Sequence, residues 1–564
     1  MSNPLRKRLA VLAASFALAA GTSIAAPSAK TKPIPIRHVI IIMQENRSFD
    51  SYFGTFPGAD GIPAGTCLPI DIRNPENGCV TPFHDPHDVN AGGPHRALNA
   101  QEDIRDGITT TKMNGFVYQQ AHSNTSCPPD APNCSGTSDG VERHDVAGYH
   151  TKDEIPNYWS YASKFVLQDR LFEPVRSWSW PAHVEMTSEW VAVCQDNTKA
   201  STCVTDPNAG ANGPHDGFQM PWANLFQLFD RHGVSWKYYL DGGAAPDCED
   251  EEITCSEQAQ LNGVPSIWNP APYFVSVKRQ GPAYLAKHNP ATAQFFTDIQ
   301  NGTLPQVSWI VPNNVNSEHP PASVNRGMNY VTRLVNAVMG SHYWKDTVIF
   351  LAWDDWGGFY DHVVPPNVDR NPTFTPIEGY GLRVPGITIS AYAKAGMIDH
   401  SVLSFDAYAT FIEDLFMNKT RLDPKALGNP DSRPDIRDAL TKVHFLDGTT
   451  APVGNLMNEF DFSQKPLPPL KLSAFVPSGI TTICGATSTQ HCTKSTVTIL
   501  WDSVAASGYT YHVERDGKDL PQCVGTATLC TDTPGRGPHF YRAYSISSKG
   551  EISPRSAAAE ADEP

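Results

Sequence analysis

Two pairs of oxygen-bearing side chains stand where apolar runs stop: Glu45 and Asn46 after HVIIIMQ, and Asp354 and Asp355 after TVIFLAW. In open α/β sheets, sites form beyond the carboxyl ends of strands, so the two pairs are placed to converge. Three carboxylates and an amide make a hard oxygen site, and a divalent cation is the natural counter-charge to their repulsion. Such ligands accept Ca²⁺, Mg²⁺ or Mn²⁺, and Zn²⁺ accepts them too. Glycines at 357 and 358 permit close backbone approach there. Ser179 lies between two tryptophans in FEPVRSWSWPAHVEMTS (172–188), at the expected start of a helix. Backbone N–H groups and the positive end of the helix dipole can receive a phosphate at that point, and a neighbouring cation can lower the hydroxyl pKa, so Ser179 is the nucleophile candidate. His183, one turn on, either orients a ligand or packs. His319, beside Glu318 in NNVNSEHPP (313–321), is the side chain whose ordinary pKa suits protonation of a leaving oxygen near neutrality. His362, with Asp361 in GGFYDHV, is expected to support Asp354 from behind. His84, His87 and His95 crowd another loop with no recognisable metal spacing and are read as structural.

Elements able to hold these residues recur along the chain. Residues 37–43, 234–240, 306–311, 347–353 and 386–390 are rich in β-branched and aromatic residues, as buried strands are. Residues 329–339 and 404–417 show apolar spacing near 3.6, which predicts helices. Strands separated by helices predict an α/β fold with a mainly parallel sheet covered on both faces, decorated by Gly/Pro/Asn-rich loops at 54–93 and 198–217. This region runs over residues 35–462. Residues 463–470 (SQKPLPPL) read as a semi-rigid Pro-rich linker. Beyond it, over 471–564, short alternating runs at 495–501, 509–515 and 539–546 predict a small all-β sandwich and a polar tail.

The chain of 564 residues carries 43 Lys plus Arg against 59 Asp plus Glu, a net charge of −16 that argues against nucleic-acid binding, which needs basic stripes. Arg6, Lys7 and Arg8 precede an apolar run ending in small residues, which predicts a signal peptide over 1–25 and a secreted or periplasmic protein. No later stretch approaches the roughly 18 apolar residues of a membrane span. Twelve cysteines fall into six local couples: Cys67 with Cys79, Cys127 with Cys134, Cys194 with Cys203, Cys248 with Cys255, Cys484 with Cys492, and Cys523 with Cys530. With no CxxC motif among them, six short-range disulfides are expected.

The blocks HVIIIMQENRSFDSYFGTFPG, SWSWPAH, LPQVSWIVPNN with SEHP, and WDDWGGFYDHVVPP together resemble, in order, those of the bacterial and plant phosphoesterase family, over about residues 35–440. That family contains non-specific phospholipases C and secreted acid phosphatases. The resemblance implies an alkaline-phosphatase-like α/β/α sandwich and hydrolysis through a phosphoserine. It assigns Glu45, Asn46, Asp354 and Asp355 to the metal, Ser179 to the attack, His319 to the leaving group, and a further histidine that loosely matches His288. The chain departs from the family pattern at Ser177, Trp178 and Ala182, where Gly, Pro and Asn are usual, at Ser317 for Asp, and at Trp356 for His. The expected substrate is a phosphate ester or phospholipid, with transient contact to a membrane surface, and the tryptophans can offer cation–π contacts to choline. A broad phosphomonoesterase is the alternative, and a degraded, surface-binding protein a further one. The last 95 or so residues resemble a fibronectin type III module, which implies binding to a surface, glycan or protein.

Overall fold

The computed structural model describes residues 34–105, 112–122, 144–206, 218–245, 258–368, 379–434, 436–445, 448–484, 496–504 and 506–563. The expected signal peptide lies outside them. So do Cys127 and Cys134, expected to pair with each other, and Cys248 and Cys255, expected to form a second couple. Cys492, the partner expected for Cys484, lies outside them as well. The other three disulfides, Cys67–Cys79, Cys194–Cys203 and Cys523–Cys530, are formed.

A seven-stranded sheet forms the core. Its strands in chain order are β1 (His38–Gln44), β2 (Val166–Gln168), β3 (Trp236–Leu240), β4 (Val307–Val311), β5 (Thr347–Trp353), β6 (Gly386–Ser390) and β7 (Met397–Asp399). They lie side by side as β7-β2-β6-β5-β1-β4-β3. β5, β1, β4 and β3 run parallel, as do β7 and β2, whereas β6 is antiparallel to both its neighbours. The fold is mixed α/β with a mainly parallel sheet. Every residue of β4, β5 and β6 is buried, the mark of strands covered on both faces. Two strands have only three residues each, β2 and β7, too few to show a period.

The helices that matter to the site are α1 (Phe49–Phe53), α2 (Pro156–Lys164), α3 (Ser179–Ser188), α4 (Val324–Met339) and α5 (Asp406–Phe416). α4 begins ahead of its apolar spacing because Ser323 caps it, its side chain accepting from the Arg326 amide at 3.1 Å.

Residues 478–563 form two small sheets, one of three strands and one of four, with Trp501, Tyr511, Val513 and Tyr541 in their shared core. The Pro-rich stretch before them lies along the α/β body: the Leu467 amide bonds to the Ala391 carbonyl at 2.7 Å and the Trp344 indole donates to the Leu467 carbonyl at 2.8 Å. The β region itself is fastened to the body. Arg542 pairs with Glu154 at 2.6 Å, the Gly479 amide donates to Asp88 at 2.7 Å, the Ala558 amide donates to the Pro86 carbonyl at 2.6 Å, and His87 lies 3.5 Å from Glu560. Residues Pro35–Pro564 make one compact unit.

Candidate active site

β1 and β5 are neighbours in register, Gln44 opposite Trp353, so the residues that follow them leave the sheet side by side. The Asp354 amide donates to the Gln44 carbonyl at 2.9 Å, and the Arg47 amide to the Asp355 carbonyl at 3.0 Å. Asn46 takes the left-handed conformation (φ 53°), which asparagine tolerates, and donates its backbone N–H to Asp354 Oδ1 at 3.1 Å. Gly357, also left-handed at φ 59°, presses so closely on this turn that a Cβ there would stand 2.6 Å from the Asn46 Cβ. A Cβ on Gly358 would meet the Gly93 Cα at 2.3 Å. Both glycines are therefore required by contact as well as by conformation.

α3 brings the third segment. Ser179, its first residue, is fully buried, and its hydroxyl oxygen lies 3.0 Å from Asp355 Oδ2, 3.2 Å from Glu45 Oε2 and 3.5 Å from Asn46 Oδ1. One turn on, His183 Nε2 lies 3.3 Å from Glu45 Oε1 and 3.5 Å from Asp354 Oδ2. Its other ring nitrogen lies 3.3 Å from the Tyr238 hydroxyl, which donates to the Trp268 carbonyl at 2.7 Å. The hydroxyl oxygen thus receives the Nδ1 proton, which leaves the Nε2 lone pair directed at the carboxylates. The ligand atoms of Glu45, His183 and Asp354 all lie within 4.8 Å of one another, a group able to hold a metal ion. Buried Asp354 Oδ2 accepts no hydrogen bond among the described residues, the state expected of an oxygen shaped for a cation. Glu173, which the sequence reading passed over, is also buried nearby, and burial together with the charges of Asp355 and Asp354 pushes its carboxyl well up.

His183 therefore belongs to the cluster itself rather than supporting it from outside. Glu318 does not stand beside the His319 ring as an assistant. Left-handed at φ 71°, it turns its carboxylate into the core, where Tyr52, Tyr158, Trp353 and Gln44 donate to it. It ties together the last residues of β1 and β5. His362 is not behind Asp354: its ring pairs with Asp50 at 2.7 Å and Asp60 at 3.4 Å, in a network completed by Arg383 and Asp361. His288 is not brought to the site at all. Its Nδ1 bonds to the carbonyl of Trp236, the first residue of β3, and its ring packs on Trp236 and Tyr284, so it sits at the opposite, amino-terminal edge of the sheet. Trp178 and Trp180 are both buried, Trp180 against Tyr273 and Phe218, rather than forming an open aromatic wall.

His95 is the residue that sequence reasoning missed. Its Nδ1 bonds to the Gly93 carbonyl at 2.9 Å, so Nε2 accepts from Asn46 Nδ2 at 3.2 Å and turns the Asn46 amide oxygen toward Ser179. Its ring centroid lies 6.1 Å from that of His319 and 6.0 Å from that of Trp356, where the family pattern has His. The available signal was the Gly92-Gly93 pair ahead of it, whose small size lets this loop lie against Gly357 and Gly358.

A family model described as the Phosphoesterase family matches residues 36–417. The chain belongs to this family. Among its relatives, this phosphoesterase is 27% identical over 419 residues to the hemolytic phospholipase C of Pseudomonas aeruginosa, covering 68% of this chain and 53% of that protein. It is 26% identical over 416 residues to phospholipase C A of Mycobacterium tuberculosis, covering 64% and 69% respectively. It is 24% identical over 389 residues to non-specific phospholipase C1 of Arabidopsis thaliana, covering 65% and 62%. Against the bacterial phospholipase C of Pseudomonas, the chain spans about half the relative's length. A solved protein of the alkaline phosphatase superfamily from Vibrio parahaemolyticus is similar over 71% of this chain and 76% of that one, at 10% identity and a TM-score of 0.26, an overlap too slight to compare the folds. Among the described residues, no helix is long and apolar enough to cross a membrane.

Proposed function

We propose that this chain is an exported, metal-dependent phosphoesterase of phospholipase C type, acting through a phosphoserine at Ser179. The observation that carries the reading is the placement of one hydroxyl within 3.5 Å of side-chain oxygens from Glu45, Asn46 and Asp355, which come from two distant strand ends. Glu45, Asn46, His183, Asp354 and Asp355 would hold the cation. When bound, a divalent ion supplies charge neutralisation and a lower hydroxyl pKa. Ser179 Oγ attacks phosphorus in line, its proton leaving along the hydrogen bond to Asp355 Oδ2. α3 starts without a side-chain cap and Pro181 carries no N–H, so the amides of Ser179 and Trp180 are the first-turn donors for a phosphate oxygen. As the P–O bond to the alcohol breaks, His319 gives the departing oxygen a proton. It then takes one from the water that cleaves the phosphoserine, and as the P–Oγ bond breaks the proton held at Asp355 returns to Oγ and restores Ser179.

The short-range disulfides support an oxidising compartment, and with it the signal peptide over 1–25. The sheet around the site supports an alkaline-phosphatase-like α/β/α sandwich, and the two small sheets over 478–563 a fibronectin type III-like module for a surface, glycan or protein. Burial of Trp178 and Trp180 favours a second reading, a tight pocket for small phosphomonoesters. Purified protein assayed with a divalent cation on phosphatidylcholine and on p-nitrophenyl phosphate separates the two. Release of diacylglycerol supports the first and turnover of the monoester alone the second, while inactivity on both defeats each.

A further inference from the structure

At the far end of the helix that carries Ser179, three buried carboxylates face one another. α3 terminates at Glu189, Glu413 projects from α5, and Asp438 lies in the short turn Arg437–Ala439, beyond the residues matched by the family. One ligand oxygen from each lies within 4.8 Å of the other two, and the three residues are 4%, 0% and 4% exposed. Each carboxylate has one oxygen with a donor: Glu189 Oε2 takes the Asp438 amide at 3.3 Å, Asp438 Oδ2 the Leu422 amide at 2.8 Å, and Glu413 Oε2 Arg421 at 3.2 Å. The second oxygen of each, Glu189 Oε1, Glu413 Oε1 and Asp438 Oδ1, is buried and has no donor among the described residues. Arg421 divides its charge between Glu413 and Asp414, which it meets at 2.8 Å, and Arg433 pairs with Asp431 at 2.9 Å. Native interiors do not keep three carboxylates this close, each with a buried oxygen that lacks a donor, without a proton or a cation among them.

We propose that Glu189, Glu413 and Asp438 form a structural site for a hard divalent cation of the calcium class, separate from the cluster at Ser179. The donor set is oxygen alone, which selects against the softer metals. Ca²⁺ accepts irregular sets of carboxylate ligands, whereas Mg²⁺ demands near-octahedral geometry and keeps several of its waters, which a site this buried does not offer. An ion there joins the carboxyl end of α3 to α5 and to the turn at Asp438, and so holds the helix whose other end presents the nucleophile. The competing arrangement is shared protons. In the absence of a cation, burial together with the charges of Asp438 and Glu189 pushes the Glu413 carboxyl up to about 12.

The test reads bound Ca²⁺ and thermal stability of the full chain, so it stands apart from the phosphoesterase reading. The parent is the Asp354→Asn chain, which weakens the other cluster, compared with Asp354→Asn/Glu413→Gln. Equilibrium dialysis against Ca²⁺ is expected to show a loss of one bound ion per chain on adding Glu413→Gln, and Ca²⁺ is expected to raise the Tm of the parent but not of the double variant. Asp438→Asn serves in place of Glu413→Gln if the latter does not fold, and the Ca²⁺ titration of the parent's Tm decides independently of either. Equal Ca²⁺ binding with and without the added substitution overturns the proposal. So does a Tm that Ca²⁺ leaves unchanged in the parent while Glu413→Gln keeps or raises it, the result that shared protons give.

Discussion

Trp353 donates its indole N–H to Glu318 Oε2 at 3.1 Å. Trp353 is the residue before Asp354, and the same carboxylate receives the side chain of Gln44, the residue before Glu45, at 3.2 Å. One buried acid thus sets the spacing of the two strand ends that carry the cluster. Glu318→Ala strands the Tyr52, Tyr158 and Trp353 donors, and each unsatisfied buried group costs about 1–3 kcal/mol. The expected outcome is a lower Tm together with weaker cation dependence of phosphoesterase activity. Glu318→Gln, which keeps one acceptor, falls between. Wild-type cation affinity in Glu318→Ala would show that the strand ends hold their spacing without it.

In the proposed reaction the Ser179 hydroxyl is the group that attacks phosphorus. Ser179→Ala is expected to lower kcat by roughly 10³-fold or more, with little change in Tm, because the residue is small and buried at a helix start. Phosphate incorporation in a rapid quench should disappear with it. A variant that still labels with substrate phosphate would move the nucleophile elsewhere.

Tyr238 sets the His183 tautomer through the 3.3 Å contact at Nδ1. Groups that orient a ligand in this way are worth roughly 10–100-fold in metal affinity. Tyr238→Phe should raise the cation concentration for half-maximal activity by that order and leave kcat at saturating cation close to wild type. A change in kcat alone would give Tyr238 a different role.

His87 lies between the α/β body and the C-terminal sheets, 2.7 Å from Asp85 and 3.5 Å from Glu560. Burial opposes its charge, but the two carboxylates prevail and push it from 6.5 to about 9. The folded state binds this proton more tightly than the unfolded chain. Its contribution to stability is therefore complete below pH 6.5 and is lost as pH rises through about 9. His362, pushed up to about 9 by Asp50 and Asp60 against its burial, adds to the same decline. The unfolding midpoint should fall between pH 6.5 and 9 and fall less steeply in Glu560→Gln. Identical slopes would show that the His87 contact does not couple the two parts.

Much of the site was legible because it rests on local signals. Glu45 and Asn46 follow β1 directly and Asp354 and Asp355 follow β5, so strand recognition alone placed them. Ser179 was legible from the Pro181 that marks a helix start. The histidines were not, because a ring's role depends on what faces it across the fold. His183 was left undecided and proved part of the cluster, His95 was set aside and proved to orient Asn46, and His288, chosen by loose alignment, lies at the wrong edge of the sheet. Glu318 was placed as an assistant to His319, yet its left-handed backbone turns the carboxylate the other way.

From its amino acids alone this chain specified five strands of its sheet, the acids at their ends, the three cysteine couples seen as disulfides and its resemblance to phosphoesterases, since each is written in neighbours a few positions apart. Which histidines meet those acids, which way Glu318 faces, and how the C-terminal sheets brace the loop at 84–95 were decided only in three dimensions. Those contacts join residues from distant parts of the chain, and no local pattern records the register and backbone turns that bring them within bonding distance.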